Sequence, residues 1–119
     1  MFIVSTLLIP LFMLFHLVGP IPADLGIQGG DLSACTSSAH CARQNWHSAN
    51  PQADLQTLIA AVRETPRTVI IEESDDYIHA EASSAFFGFV DDLELLAIPA
   101  KNMVQARSIS RLGDSDLGV

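Results

Sequence analysis

The sequence predicts an α+β fold, in which an N-terminal apolar helix precedes one helix packed on a four-stranded antiparallel sheet. Three observations predict this class: an uncharged apolar N-terminus, one segment with helical spacing of apolar residues, and four later segments with strand-like composition. We divide the chain into a signal peptide or transmembrane anchor (residues 1–23), a linker with a Cys-x5-Cys loop (residues 24–50) and an α+β domain (residues 51–119).

The N-terminal run, MFIVSTLLIPLFMLFHLV, is followed by no charged residue before Asp24. As a helix it would span roughly 25 Å, close to the ~30 Å of a bilayer core. This length favours an uncleaved membrane anchor over residues 2–18. A signal peptide cleaved after Ala23 is the alternative, although bulky Ile21 suits that site poorly, and a buried core helix is a third. Under both leading interpretations the rest of the chain is exported. The domain would then be anchored on the periplasmic or lumenal side of a membrane, or secreted.

Residues 19–30, GPIPADLGIQGG, are rich in Gly and Pro and predict a linker without regular structure. Beyond it, Cys35 and Cys41 are the only cysteines. In an exported domain we expect a disulfide between them, which would contribute roughly 2 kcal/mol. The alternatives are free thiols, a zinc site with His40 and His47, and a lipid-modified Cys35. We do not expect a metal site.

One helix is predicted after Asn50, which is a favourable N-cap residue before Pro51 at the first helical position. Pro66 ends the helix near residues 64–65. Apolar residues recur with the period of one helical face, and this stripe should pack on the sheet: Leu55, Leu58, Ile59 and Val62.

Residues 68–74 and 77–84 predict two strands joined by an Asp75-Asp76 turn. If Ser74 opposes Tyr77, then Glu72 opposes His79, and cross-strand partners share a face. One face would be apolar and consist of Val69, Ile71, Ile78, Ala80 and Ala82. Ile70 would lie on the opposite, largely polar face. Residues 86–89 would form a corner before the third strand.

The third strand, residues 90–98, and the fourth, residues 103–111, add further charged side chains to the polar face. The polar face then carries Tyr77, His79, Glu81, Asp92, Glu94, Arg107 and Arg111. We expect a solvated face with exposed ion pairs. The alternative is a ligand-binding cleft using all of these except Glu94, in which arginine forks bind carboxylate or phosphate and His79 transfers protons. Of the two arginines, Arg107 would be structural and Arg111 the better ligand contact.

Several classes of function are disfavoured by the sequence. The formal net charge is −8 and no basic run occurs, so a nucleic-acid partner is not expected. Nucleophile-elbow, metalloprotease and P-loop motifs are absent. We therefore assign no catalytic residue and no cofactor. Asp114 and Asp116 fit a capped turn better than a calcium loop.

Residues 77–118 combine alternating strands, the acidic step of Asp91, Asp92 and Glu94, and a closing R-S-I-S-R-x-G-D-S-D-x-G segment. This stretch resembles the domain of unknown function 1499 family. The resemblance implies a compact exported or membrane-tethered domain and no particular activity. Relatives have prolines inside the cysteine loop, where this chain has Thr36 and Ala39-His40. They also continue beyond the position of Val119 with a basic helix, so a missing covering element is expected.

Three functional hypotheses follow. The leading one is a non-enzymatic exported module, tethered to the membrane by residues 2–18, whose polar face binds a protein or small-molecule partner. The second is an enzyme that uses His79 with Glu81 or Asp92 on that face. The third is a truncated relative without a function of its own.

Overall fold

The computed structural model describes residues 19–84 and 89–111. The apolar run predicted as an anchor, most of the predicted corner at residues 86–89 and the predicted turn around Asp114 lie outside these residues. Among the described residues, no helix combines the length and the hydropathy that crossing a membrane requires.

One helix and an antiparallel sheet form the domain, which confirms the α+β class. In chain order the elements are β1 (Ile27–Gln28), β2 (Asp31–Leu32), β3 (Cys41–His47), α1 (Pro51–Glu64), β4 (Thr68–Glu73), β5 (Tyr77–Ser83), β6 (Val90–Ile98), a short 3₁₀ turn (Pro99–Lys101) and β7 (Met103–Ser110). The main sheet has the order β3-β7-β6-β5-β4, and β1 pairs with β2 in a separate hairpin.

The sheet has five strands, so the prediction of four was wrong. The additional strand is β3, which lies in the segment that we had assigned to the linker and pairs antiparallel with β7 from Cys41↔Ile109 to His47↔Met103. Its sequence, CARQNWH, contains no β-branched residue and has no alternation of apolar and polar positions. Backbone pairing at the sheet edge, which composition signals weakly, accounts for this strand.

Strand β3 begins at a disulfide bond. Cys35 and Cys41 are joined, with their Cα atoms 5.5 Å apart, which confirms the predicted bond. The bond closes the loop at residues 35–41 against the end of β7, because Cys41 pairs with Ile109 and the amide of Ser110 donates to the carbonyl oxygen of His40.

Helix α1 follows its sequence signals. The side chain of Asn50 caps the helix by accepting a hydrogen bond from the amide of Ala53, Pro51 occupies the first turn, and Thr65 ends the helix. Its stripe packs on one face of the sheet in a core cluster made of Leu55, Ile59, Val62, Ile78, Ala80, Leu95 and Ala97. Leu58 is only partly buried beside this cluster.

The β4–β5 hairpin has the predicted turn, but its register changes after two pairs. The amide of Ser74 donates to the carbonyl oxygen of Tyr77, and Glu72 pairs with His79 as expected. A bulge then shifts the pairing between Ile70 and Glu72. A one-residue shift exchanges the two faces of a strand. Ile70 therefore packs on the core. Val69 and Ile71 are 61% and 52% exposed, so their predicted burial was wrong.

Residues 19–32, which we call the N-terminal strap, lie against the opposite face of the sheet. Their β1–β2 hairpin turns at Gly29 and Gly30, both with positive φ, as the two central positions of a type I′ turn require. Leu32 is buried against Tyr77 and Leu96, with Ile98 beside them. The domain therefore has three layers, with α1 on one face of the sheet and the strap on the other.

Ile59 tests the contact between α1 and the sheet, because its side chain is fully buried. We expect Ile59→Ala to lower the free energy of unfolding by about 2–5 kcal/mol. Leu58→Ala, which removes a partly buried side chain from the same helix, should cost clearly less. Urea unfolding of both variants measures the difference, and equal losses would show that the stripe is oriented differently.

Candidate functional site

The strand register brings the predicted polar side chains onto one face of the sheet. His79 lies opposite Glu94 on β6, and Glu94 lies opposite Arg107 on β7. Glu81 and Asp92 form the next cross-strand pair on the same face. Most of this face is nevertheless buried. Its buried polar members are His79, Asp92, Glu94, Gln105, Arg107 and Arg111, and Tyr77 is buried with them. The expectation of exposed ion pairs on this face was therefore wrong.

Arg111 and Asp92 form the first centre of this buried network. The guanidinium group donates from Nε to Oδ2 of Asp92 at 2.8 Å and from Nη2 to Oδ1 at 2.9 Å, so the pair is bidentate. Nη2 also reaches Oε2 of Glu81 at 2.6 Å. Nε2 of His79 lies 2.7 Å from Oδ1 of Asp92. One carboxylate thus holds an arginine and a histidine together.

Arg107 and Glu94 form the second centre. Nη1 of Arg107 donates to Oε1 of Glu94 at 3.1 Å, and Nη2 donates to Oδ2 of Asp24 in the strap at 2.6 Å. The other oxygen of Glu94 accepts from the Tyr77 hydroxyl and from the amide of Gly26, the latter at 2.6 Å. Both charges are fully buried, and two of the groups that satisfy them come from the strap.

Gln105 fixes the hairpin end of the strap. Its Oε1 accepts from the amide of Leu32 and its Nε2 donates to Oδ1 of Asp31, both at 2.9 Å. Both bonds, together with those of Asp24 and Gly26, connect the strap to buried side chains of the sheet. The strap is therefore held by polar contacts with this face as well as by the packing of Leu32.

Gly19 fixes the other end of the strap. It has φ 77°, and a Cβ atom there would lie 2.6 Å from the carbonyl oxygen of Arg111. Only glycine allows the backbone to pass this close to the end of β7 in that conformation.

The network changes the acid–base properties of three of its members. Burial alone would raise the pKa of Asp92, but the hydrogen bonds from Arg111 and His79 outweigh it and hold that pKa below its ordinary value. The hydrogen bond to Asp92 is the main cause that raises the pKa of Arg111. Burial, and then the hydrogen bond to Glu94, raise the pKa of Tyr77. The ionised Asp92, the charged Arg111 and the neutral phenol are therefore the favoured forms.

A cavity of about 550 Å³ opens beside the network. Its walls are strap residues 20–24, the disulfide loop at Thr36, Ser37, His40 and Cys41, and the end of β7 with Arg107, Ile109, Ser110 and Arg111. The strap and Ile109 make much of the wall apolar. The two arginines and Asp24 are its charged groups.

His79, Glu81 and Asp92 offer ligand atoms that lie within 4.8 Å of one another, close enough to hold a metal ion. The guanidinium group of Arg111 already occupies both carboxylates. A cation entering there would meet a fixed positive charge, so the donor set suits an arginine better than a metal.

All six of the predicted ligand-binding residues belong to the network: Tyr77, His79, Glu81, Asp92, Arg107 and Arg111. Only the two arginines among them line the cavity. Sequence reasoning missed Asp24 and Gln105 as members. The signal that could have found the strap is Gly29-Gly30 between Gln28 and Asp31, a dipeptide suited to a two-residue hairpin.

The fold and the network define a small α+β domain with a disulfide loop and a charged layer enclosed between sheet and strap. The family model described as "Protein of unknown function (DUF1499)" matches residues 31–119. The chain belongs to this family, as the resemblance indicated. The match begins at Asp31, so most of the strap lies before it. No curated protein and no solved structure matches the chain.

Arg111→Gln tests whether the network carries stability. Removing one partner of a buried ion pair leaves the other charge uncompensated, so we expect a loss of about 3–5 kcal/mol in the free energy of unfolding. Arg63→Gln is the matched control, because Arg63 is 56% exposed where it pairs with Glu73 and should cost less than about 1 kcal/mol. Chemical denaturation compares the two, and a cost below about 1 kcal/mol for Arg111→Gln would refute the buried network.

Tyr77 is the only tyrosine of the chain, so its titration can be followed by absorbance. Its raised pKa favours the neutral phenol, and this stabilisation is complete below the ordinary value of 10.0 and is lost as the pH rises further. We expect tyrosinate absorbance to appear only when circular dichroism shows unfolding. A folded protein whose tyrosine ionises near 10.0 would contradict the buried bond to Glu94.

Proposed function

We propose that the protein is a non-enzymatic binding module that takes a small molecule into the cavity between the strap, the disulfide loop and β7. The observation that carries the proposal is the cavity itself. Its volume of about 550 Å³ lies in the range of roughly 300–1,000 Å³ typical of small-molecule sites. Apolar walls with a few convergent polar groups are also typical of such sites.

The proposal includes export and a membrane tether at residues 2–18. The uncharged apolar run supports the tether. The Cys35–Cys41 disulfide supports an oxidising compartment, because such bonds persist mainly outside the cytosol. An exported module held at a membrane would present its cavity to periplasmic or lumenal solutes.

A second candidate function is general acid–base catalysis by His79, favoured by the contact of its Nε2 with Oδ1 of Asp92. Two observations make catalysis the weaker candidate. His79 is buried, and it is not among the residues that line the cavity. A catalytic group has to come within hydrogen-bond reach of its substrate.

Thermal shift with a panel of small acids, amines, alcohols and amides tests the binding function on the full-length protein, purified in detergent from the membrane fraction. At a concentration well above its Kd, a ligand should raise the melting temperature by several degrees. Ala23→Phe should abolish the shift, because it fills the cavity from an exposed strap position. Ala60→Phe, on the exposed side of α1, is the matched control and should keep the shift.

The binding function would be wrong if no compound of the panel stabilised the wild-type protein, or if Ala23→Phe responded as the wild-type protein does. Recovery of a soluble product beginning near Asp24 would refute the tether, while leaving the cavity to be judged by the melting data.

A further inference from the structure

We infer that the cavity binds a carboxylate group on Arg107, and that Asp24 of the strap occupies this site as a built-in competitor. The inference rests on the binding function proposed above and names the chemical class of the ligand. Its starting point is the hydrogen bonding of one buried guanidinium group.

One buried nitrogen atom of Arg107, Nε, has no partner among the described residues. Nη1 donates to Glu94 and Nη2 donates to Asp24. Among the residues that the structure describes, Nε of Arg107 is buried and has no hydrogen-bond acceptor. Leaving a buried charged donor without a partner is unfavourable, so such an atom calls for an explanation.

Arg111, which directly follows β7, has acceptors for both Nε and Nη2. Asp92 faces the Nε and Nη2 edge of Arg111 with both of its oxygens. On the corresponding edge of Arg107, Asp24 contributes one oxygen to Nη2 and leaves Nε unused. A carboxylate placed side-on to this edge would accept from both donors, which is the stronger, bidentate geometry. The hydrogen bonding thus assigns the ligand contact to Arg107 and a structural role to Arg111, the reverse of the sequence-based expectation.

Asp24 is positioned to be displaced. Its side chain is 48% exposed, whereas that of Arg107 is 3% exposed, and both residues line the cavity. A carboxylate tethered to the same chain competes at a high effective concentration, so a free carboxylate must bind better than Asp24 to replace it. Glu94 stays on Nη1 throughout, so Arg107 retains one buried counter-charge.

The walls define the rest of the ligand. Pro20, Ile21 and Pro22 of the strap and Ile109 of β7 surround the charged group with apolar surface. A small molecule with an apolar body and a single carboxylate fits both parts of the cavity. The network already holds more carboxylates than arginines, which disfavours a ligand with several negative charges.

Benzoate is the probe, and benzamide is its neutral analogue of similar shape. We would measure their Kd by isothermal titration to the full-length wild-type protein and to Asp24→Asn. Asparagine keeps an oxygen for Nη2 but removes the competing charge, so benzoate should bind this variant about tenfold tighter or more. Asp75→Asn removes a charge from an exposed turn residue that does not line the cavity and should match the wild-type protein. Arg107→Lys keeps the charge without the fork, so its preference for benzoate over benzamide should be clearly smaller than that of the wild-type protein.

The outcomes separate this inference from the binding function. If neutral compounds or amines bind and Ala23→Phe blocks them, while benzoate has no advantage, the cavity is a binding site and the carboxylate inference is wrong. If benzoate binds Asp24→Asn no tighter than it binds the wild-type protein, the competitor role of Asp24 is wrong. If no compound binds any variant, both are wrong.

Discussion

The pair of Arg107 and Glu94 is the interaction on which the sheet and the strap both depend. Two opposite charges are buried side by side on neighbouring strands, and removing charges from water is costly unless their remaining donors and acceptors are satisfied. The amide of Gly26 and the carboxylate of Asp24 supply part of that satisfaction. The strap is thus held by the charges that it covers, and those charges stay buried because the strap is in place. A three-layer domain results from a sheet whose second face is rich in ionisable groups.

The sequence predicted the parts of the fold in which local signals agree with the tertiary structure. Asn50 and Pro51 begin the helix, and the stripe through Leu55 and Ile59 meets the sheet as expected. The alternation along β6 and β7 placed Asp92, Glu94 and Arg107 on one face, and Arg111, which follows β7, bonds to Asp92 on that face. In these segments, periodicity alone decides which side chains share a surface.

Two of the errors depend on contacts between distant segments, and the third on a register shift within one hairpin. Strand β3 forms by backbone pairing with β7, which a polar sequence does not reveal. The bulge beside Ile71 reverses the faces of half of β4 without any glycine or proline to mark it. The burial of the polar face depends on Gly26 and Leu32, which are 68 and 73 residues from their partners. Alternation of charges along a strand does not distinguish a solvated face from one that another segment covers.

The burial of the polar face also changes which of its charged side chains a ligand could reach. An exposed face would have offered every charged side chain to a partner, whereas Arg107 and Arg111 line the cavity and His79 is buried away from it. Of the two arginines, Arg111 has the complete bidentate partner. The candidate site therefore includes only two of the six side chains that the sequence indicated. One of its charged groups is Asp24, a strap residue that lies before the segment matched by the family model.

Amide hydrogen exchange of the strap tests the central claim most directly. The amides of Gly26 and Leu32 donate to Glu94 and Gln105, whereas Gly29 and Gly30 form the exposed tip of the hairpin. If the strap covers the network, the first two amides should exchange much more slowly than the two glycines at the tip. Equal and rapid exchange at all four positions would show that the strap does not cover the polar face.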